Sequence, residues 1–228
     1  MAAKQATIID VYQLTQVRFI YRHQLVINID RLKIPAQACT VVLGENGAGK
    51  TTLLSLLGFT LMPSSGTIFY KGDIARKHNN LLLRQRISAV HQRPYLFRGT
   101  VLDNVILPLK LRGVPVTEAR EVGMQKLQEV GLLKLSGRLA KTLSGGEAQR
   151  TALARCLVTK PEVLLLDEPF SHLDRQSVDL IDVVIRDFVR RGGAVIFSTH
   201  DYRHWPDLAD FVITLENGRL AENDSVST

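Results

Sequence analysis

No apolar run in this chain reaches the roughly 18 residues that a membrane-spanning helix needs, so none is expected. The opening, Met1-Ala2-Ala3-Lys4-Gln5, lacks the apolar stretch of a secretory leader. Cysteine is scarce: the 228 residues include only Cys39 and Cys156, in apolar surroundings and without the spacing of metal ligands. That excludes a disulfide framework, and both are expected to be buried, reduced thiols of a cytosolic protein. Internal repeats and low-complexity tracts are absent. The length suits one large domain, or one domain carrying an inserted subdomain. Acids are outnumbered, 22 against 29 lysines and arginines, for a net charge of +7. Yet the bases are scattered, and the nearest approaches to a cluster are Arg84/Arg86, His91/Arg93 and Arg190/Arg191. Such a distribution implies a solvated basic surface facing nucleotides or a membrane's inner face, and no nucleic-acid partner is expected.

What is present begins with Gly44-Glu45-Asn46-Gly47-Ala48-Gly49-Lys50-Thr51, followed by Thr52, a full match to the phosphate-binding pattern G-x-x-x-x-G-K-[ST]. The apolar run 39–43 before it reads as a buried strand, and 51–58, with leucines at 53, 54, 56 and 57, as a helix stopped by Gly58. Gly47 and Gly49 allow positive φ, so that successive N–H groups curl into one concavity, and the helix N-terminus adds further unpaired donors. Lys50 is expected to reach the β- and γ-phosphates of a nucleoside triphosphate, and the Thr51 hydroxyl to hold Mg2+.

Along the rest of the chain, 7–34 alternates as antiparallel strands should, with 26–34 mostly of period two and closed by Pro35. Tyr21 falls at a strand end or turn there, either stacked on a purine or packed as a strand aromatic. A short strand follows at 67–72, a helix at 81–86 and another strand at 87–90, which delivers Gln92 to a strand's C-terminal edge. Between 93 and about 137 strand signals vanish. Helices are predicted at 101–111 and 117–133, the second with Met124, Leu127, Val130 and Leu133 as its buried stripe. Helix and strand then alternate, with helices at 147–158, 175–191 and 203–209 and buried strands at 163–166, 194–197 and 211–215. The pattern is that of a mainly parallel α/β sheet interrupted by a helical insertion.

Two further motifs carry chemistry. The strand 163–166 runs into Asp167 and Glu168; beside a phosphate loop, Asp167 would hold Mg2+ and Glu168 would orient or deprotonate an attacking water. Ser144 and Glu147 form the capping box S-x-x-E. The intervening Gly145 and Gly146 cost about 1 kcal/mol each relative to alanine in a helix interior. They make sense where a backbone must approach a phosphate closely.

With these motifs in order, nearly the whole chain resembles the nucleotide-binding subunit of an ATP-binding cassette (ABC) transporter. Gly44 to Thr51 match the family's Walker A loop, Leu143-Ser144-Gly145-Gly146-Glu147 its signature, and 163–167 its Walker B strand. Tyr21 matches the aromatic that stacks on adenine, Gln92 the Q-loop glutamine, Glu168 the catalytic glutamate, Ser171-His172-Leu173-Asp174 the D-loop and His200 the switch histidine. The resemblance implies a RecA-like phosphate-loop NTPase core over 1–92 and 159–228, with an N-terminal antiparallel β subdomain. A helical subdomain over 93–158 would complete a single domain. It also implies catalysis by Glu168, His200 and Gln92, and Mg2+ held by Thr51, Gln92 and Asp167. ATP would be bound by the phosphate loop with Tyr21 and, across a head-to-tail homodimer, by Ser144, Gly145, Gly146 and Asp174. Ala38, His172 and Glu147 depart from the usual glycine, alanine and glutamine, and none removes a catalytic group.

Within the family, Asp167-Glu168-Pro169-Phe170-Ser171 and the stretch 91–105 resemble importer ATPases, nearest the tungstate/molybdate oxyanion group. The implied partners are integral membrane permease subunits and, indirectly, an extracytoplasmic binding protein, with the chain on the inner face of the membrane. Tyr95, Leu96 and Phe97 line either a docking groove for the permease or the helical core. An exporter ATPase and a soluble non-transport ABC ATPase are the alternatives.

Overall fold

Strands β1 (Asp10–Tyr21) and β2 (Gln24–Pro35) form a long antiparallel hairpin, as the period-two pattern predicts. The computed structural model describes residues 10–76, 78–201 and 207–221. Arg22 and His23 make the hairpin turn with φ of 45° and 68°, so Tyr21 is presented at the strand's very end. The chain then leaves for β3 (Cys39–Leu43) and α1 (Lys50–Leu57). It returns with β4 (Ser65–Tyr70) and β5 (Asp73–Ile74) to complete an antiparallel sheet of order β2-β1-β4-β5. After α2 (Asn80–Arg84) and β6 (Ile87–Val90) come three helices in succession, α3 (Val101–Leu111), α4 (Val116–Glu129) and α5 (Gly145–Leu157). The remaining elements are β7 (Val163–Asp167), α6 (Arg175–Arg190), β8 (Ala194–Thr199), β9 (Phe211–Glu216) and β10 (Arg219–Leu220). The second sheet has the order β10-β9-β3-β8-β7-β6 and is parallel throughout except for the β9–β10 hairpin. The fold is thus α/β with an antiparallel β subdomain.

The parallel strands carry no polar alternation because both of their faces are covered, yet the pleat still sorts their side chains. Val41, Leu43, Leu164, Leu166, Val195 and Phe197 pack with the α3–α5 layer and α6. Val42, Val163, Leu165 and Ile196 point the other way, into a core shared with α1 and the antiparallel sheet. Each such buried aliphatic contributes about 1.5–3 kcal/mol relative to exposure. Parallel register then aligns the strand ends, with Leu43 opposite Thr199, Ser198 opposite Asp167 and Val90 opposite Leu166. Four loops are therefore delivered to one edge of the sheet, where ligands of open α/β folds bind.

One local expectation needs correction. The helix expected over 117–133 ends at Glu129. Met124 within it and Leu133 beyond it are more than one-third exposed, and the buried positions are Ala119, Gly123 and Leu127, followed by Val130. A strict third-residue stripe slips around a helix of 3.6 residues per turn, whereas fourth-residue steps stay nearer one face. Gly123 lets α3 approach: a Cβ there would lie 2.5 Å from Ile106 and 2.9 Å from Leu102. Gly58 closes α1 as expected, with φ of −79°, and the left-handed position falls on Phe59, at 54°. What Gly58 supplies is closeness, since a Cβ would stand 3.1 Å from Leu165 of β7.

Cys39 and Cys156 are both unpaired; Cys39 is buried as expected and Cys156 only half-buried, and desolvation of each sulfur pushes both thiols up to about 12. The helix expected over 203–209 falls largely outside the described residues.

Candidate nucleotide site

The loop between β3 and α1 takes its shape from glycine. Gly47 and Gly49 have φ of 85° and 103°, which a side chain would oppose. Gly44 lies so close to β9 that a Cβ would meet the Leu215 carbonyl oxygen at 2.3 Å. Helix α1 begins at Lys50 with no side-chain cap and no acid in its first turn. Its first N–H groups are left for an anion, with the helix dipole behind them. Lys50 folds back over the loop, and its Nζ donates to the carbonyls of Gly44 at 2.7 Å and Glu45 at 3.0 Å.

The Thr51 hydroxyl, one residue on, donates to Asp167 Oδ2 at 2.8 Å. Asp167 ends β7, and its other oxygen accepts from the Ser198 hydroxyl on β8. Glu168 follows in a left-handed conformation, φ 47°, which costs a non-glycine residue about 1–2 kcal/mol. Its carboxylate is only 7% exposed. Ser171 Oγ donates to it at 2.7 Å, His200 Nδ1 lies 3.0 Å away, Lys50 Nζ 3.6 Å and Gln92 Nε2 3.4 Å. An ionised carboxylate only accepts, so His200 Nδ1 carries a proton. Burial alone would raise the carboxyl's pKa. The hydrogen bonds from Ser171 and His200, with the electrostatic pull of the His200 ring and Lys50, outweigh it and hold Glu168 below its ordinary value.

Together Asn46, Gly47, Gly49, Lys50, Thr51, Thr52, Gln92, Asp167 and Glu168 line an open pocket of about 230 Å³ that also touches Val26. Gly44, Glu45 and Ala48 shape the loop behind it, and His200 reaches it through Glu168. The oxygen donors of Thr51, Asp167 and Gln92 meet at this pocket. Thr51 and Asp167 stand one hydrogen bond apart, a hard-donor set that fits Mg2+ completed by phosphate oxygens and water.

The other expected contacts lie elsewhere. Tyr21 is 56% exposed, with the Arg22 guanidinium 5.4 Å over its ring, and does not line the pocket. Ser144 caps α5 through the expected box: Glu147 N–H donates to Ser144 Oγ, and Ser144 N–H to Glu147. Gly145 is exposed with open space where a Cβ would stand. Gly146 is buried, and a Cβ there would come within 2.4 Å of Ser177 Oγ. Asp174, expected to contact the nucleotide across a dimer, caps α6 within this chain, accepting from Ser177 N–H and Oγ at 2.8 and 2.9 Å.

Sequence reasoning gave no individual role to three contributors. Val26 carries no chemical signal, and Ser171 lay inside a recognised motif without a task. Ser198 had one clue: a hydroxyl in an otherwise apolar strand needs a buried partner.

The parallel sheet and the anion-binding loop define a phosphate-loop nucleoside triphosphatase. Residues 27–171 match the family model described as ABC transporter. The tungstate uptake system ATP-binding protein TupC of Peptoclostridium acidaminophilum is 35% identical over 205 residues, covering 90% of this chain and 94% of that protein. The solved structure of cbiO1 from Clostridium perfringens, part of the ABC transporter complex cbiONQ, superposes with a TM-score of 0.85. It is 28% identical, over 93% of this chain and 87% of the other. A dimeric ATP-binding cassette in a post-hydrolysis state with ADP and Pi shares the fold at a TM-score of 0.86 and 24% identity, over 95% and 99% of the two chains. The chain belongs to the ABC transporter family, as an ATP-binding subunit with ATPase activity. No helix among the described residues is long and apolar enough to cross a membrane.

Proposed function

We propose that this ATPase works as a head-to-tail homodimer on the inner face of a membrane, driving import of a small oxyanion through separate permease subunits. The observation that carries the dimer is the incompleteness of the pocket. It gathers the Walker residues, Gln92 and Glu168, while the signature turn of the same chain lies outside it with Gly145 bare. A second copy would bring its Ser144, Gly145 and Gly146 to the γ-phosphate, with Asp174 beside the shared interface. The helical stretch 93–158 would be the arm that carries the signature. Tyr21 would stack on adenine once Arg22 moved from its ring face.

Mg2+, when bound by Thr51, Asp167 and Gln92, would neutralise charge developing on the β- and γ-phosphoryl oxygens. Lys50 would exchange the carbonyls of Gly44 and Glu45 for phosphate oxygens. Glu168, freed from Lys50, would take a proton from the attacking water or orient it, and His200 would hold the γ-phosphate in place. Tyr95 and Phe97, 71% and 47% exposed, support a docking face for the permease.

Likeness to a tungstate uptake ATPase over nine-tenths of the chain supports the cargo class. The test is reconstitution in vesicles with the membrane protein that co-purifies with the chain. ATP hydrolysis should rise several-fold when a tungstate-loaded binding protein is added from the opposite face. Stimulation by a substrate supplied on the ATPase side would reverse the direction, and activity indifferent to any membrane partner would reject transport.

A further inference from the structure

Ser198 sits in the middle of the catalytic carboxylates and has been given no part in them. Its side chain is fully buried in β8, between Phe197 and Thr199. The residue has 0% exposure, and alanine would fill almost the same space. What alanine would lack is the hydroxyl, and that group is used twice. It donates to Asp167 Oδ1, and it accepts from the Glu168 backbone N–H at 3.0 Å, a donor that the Ser198 carbonyl also approaches at 3.2 Å.

These bonds fix two separate orientations. With Oδ1 held by Ser198, the Asp167 carboxylate turns Oδ2 toward Thr51 and the pocket. With its N–H held, Glu168 is kept at φ 47°, the turn that aims its side chain back at Lys50, His200 and Ser171 rather than onward along the strand direction. Neither acid reaches Ser198 by accident of packing, because register places Ser198 directly opposite Asp167 on the neighbouring parallel strand.

We propose that Ser198 is a positioning residue for the ATPase reaction, setting the Asp167 carboxylate toward the metal ion and the Glu168 carboxylate toward the attacking water. The proposal rests on the roles given above to Asp167 and Glu168. Without the hydroxyl, Asp167 Oδ1 is left buried and unsatisfied, and the carboxylate can rotate away from Thr51 to find another donor. Losing a partner that orients a metal ligand typically costs about 10–100-fold in metal affinity or activity.

The test separates metal response from fold and from nucleotide binding. Equilibrium binding of a fluorescent ATP analogue is measured with and without Mg2+ on the wild type, Ser198→Ala, Ser198→Cys and Asp167→Asn. For Ser198→Ala the Mg2+-free affinity should stay within about twofold. The Mg2+ concentration for half-maximal effect should rise about tenfold, and kcat should fall about 10–100-fold with KM for ATP little changed. Ser198→Cys, nearly the same size with a weak donor, should lie between, and it carries the test if the alanine variant does not fold. A wild-type Mg2+ response in a folded Ser198 variant, with the response lost in Asp167→Asn, overturns the role of Ser198 alone. A wild-type response in Asp167→Asn overturns the metal-ligand assignment beneath it. Equal losses with and without Mg2+ would show that Ser198 serves only packing.

Discussion

The catalytic pocket and the signature turn are both built at helix N-termini, yet they use their hydrogen bonds in opposite ways. In the pocket the working groups already hold one another. Lys50 is taken by two loop carbonyls and Glu168, Thr51 by Asp167, and Glu168 by Ser171 and His200. At the signature, Ser144 and Glu147 hold each other, the Arg138 guanidinium stands 3.7 Å from Glu147, and Gly145 faces open space. Nucleotide entering the pocket must therefore exchange existing bonds, which makes that half a switch. The signature half needs no rearrangement and only has to be approached. Under the proposed head-to-tail dimer, a protein arranged this way would hydrolyse little until a second copy approached.

The largest effect should come from breaking the pocket at its most heavily bonded group. Glu168→Gln keeps the size and the capacity to accept from Ser171 but cannot take a proton. Hydrolysis, measured as phosphate release, should fall by about 10²–10⁴-fold. ATP binding should persist, and an ATP-bound dimer should accumulate on size-exclusion chromatography. Brisk turnover in this variant would remove Glu168 as the base.

A pair of alanine substitutions sharpens the contrast on the other side. Gly146→Ala drives a methyl group into Ser177 Oγ, so either the hydroxyl turns off Asp174 or α5 and α6 separate, at about 1–3 kcal/mol of stability in thermal unfolding. Gly145→Ala meets nothing in the same chain and should leave stability unchanged or raise it by up to about 1 kcal/mol. It should nevertheless lower hydrolysis more than it lowers nucleotide binding to the monomer. The two glycines, which read alike, would then separate into one needed for packing and one needed across the dimer. Equal stability losses in both would end that distinction.

How much of this was written plainly in the chain depends on the range of the interaction. The loop 44–51, the acids after β7 and the capping box are local, and the structure has each at the predicted residues. The buried parallel strands were legible because both faces are apolar. The α4 stripe was half misread because third-residue steps drift around the helix, while burial follows the positions facing α3, Gly123 among them. The cap that Asp174 makes on α6 went unread, although an acid just before a helix is a local signal. Ser198 could not be paired with Asp167 from sequence, since 31 positions separate them and only strand register joins them.

Acid should expose the last difference between the two halves. Glu168 and Glu147 both lie below their ordinary carboxyl value of 4.5. Glu168 overcomes burial through Ser171, His200 and Lys50. Glu147 is lowered first by the Ser144 N–H. A carboxyl whose pKa is depressed on folding stabilises the protein above its unfolded value, and that contribution is lost as pH falls through the lower folded value. Melting temperatures compared with the Gln variants across that window should therefore converge toward acid for both residues. The gap that closes should be wide for Glu168→Gln, whose charge is buried against Lys50. It should be slight for Glu147→Gln, because glutamine still caps Ser144 and solvent screens the rest. A wide, acid-sensitive gap at Glu147 would mean that the signature half carries internal strain of its own, and the contrast between a bonded switch and an open acceptor would not hold.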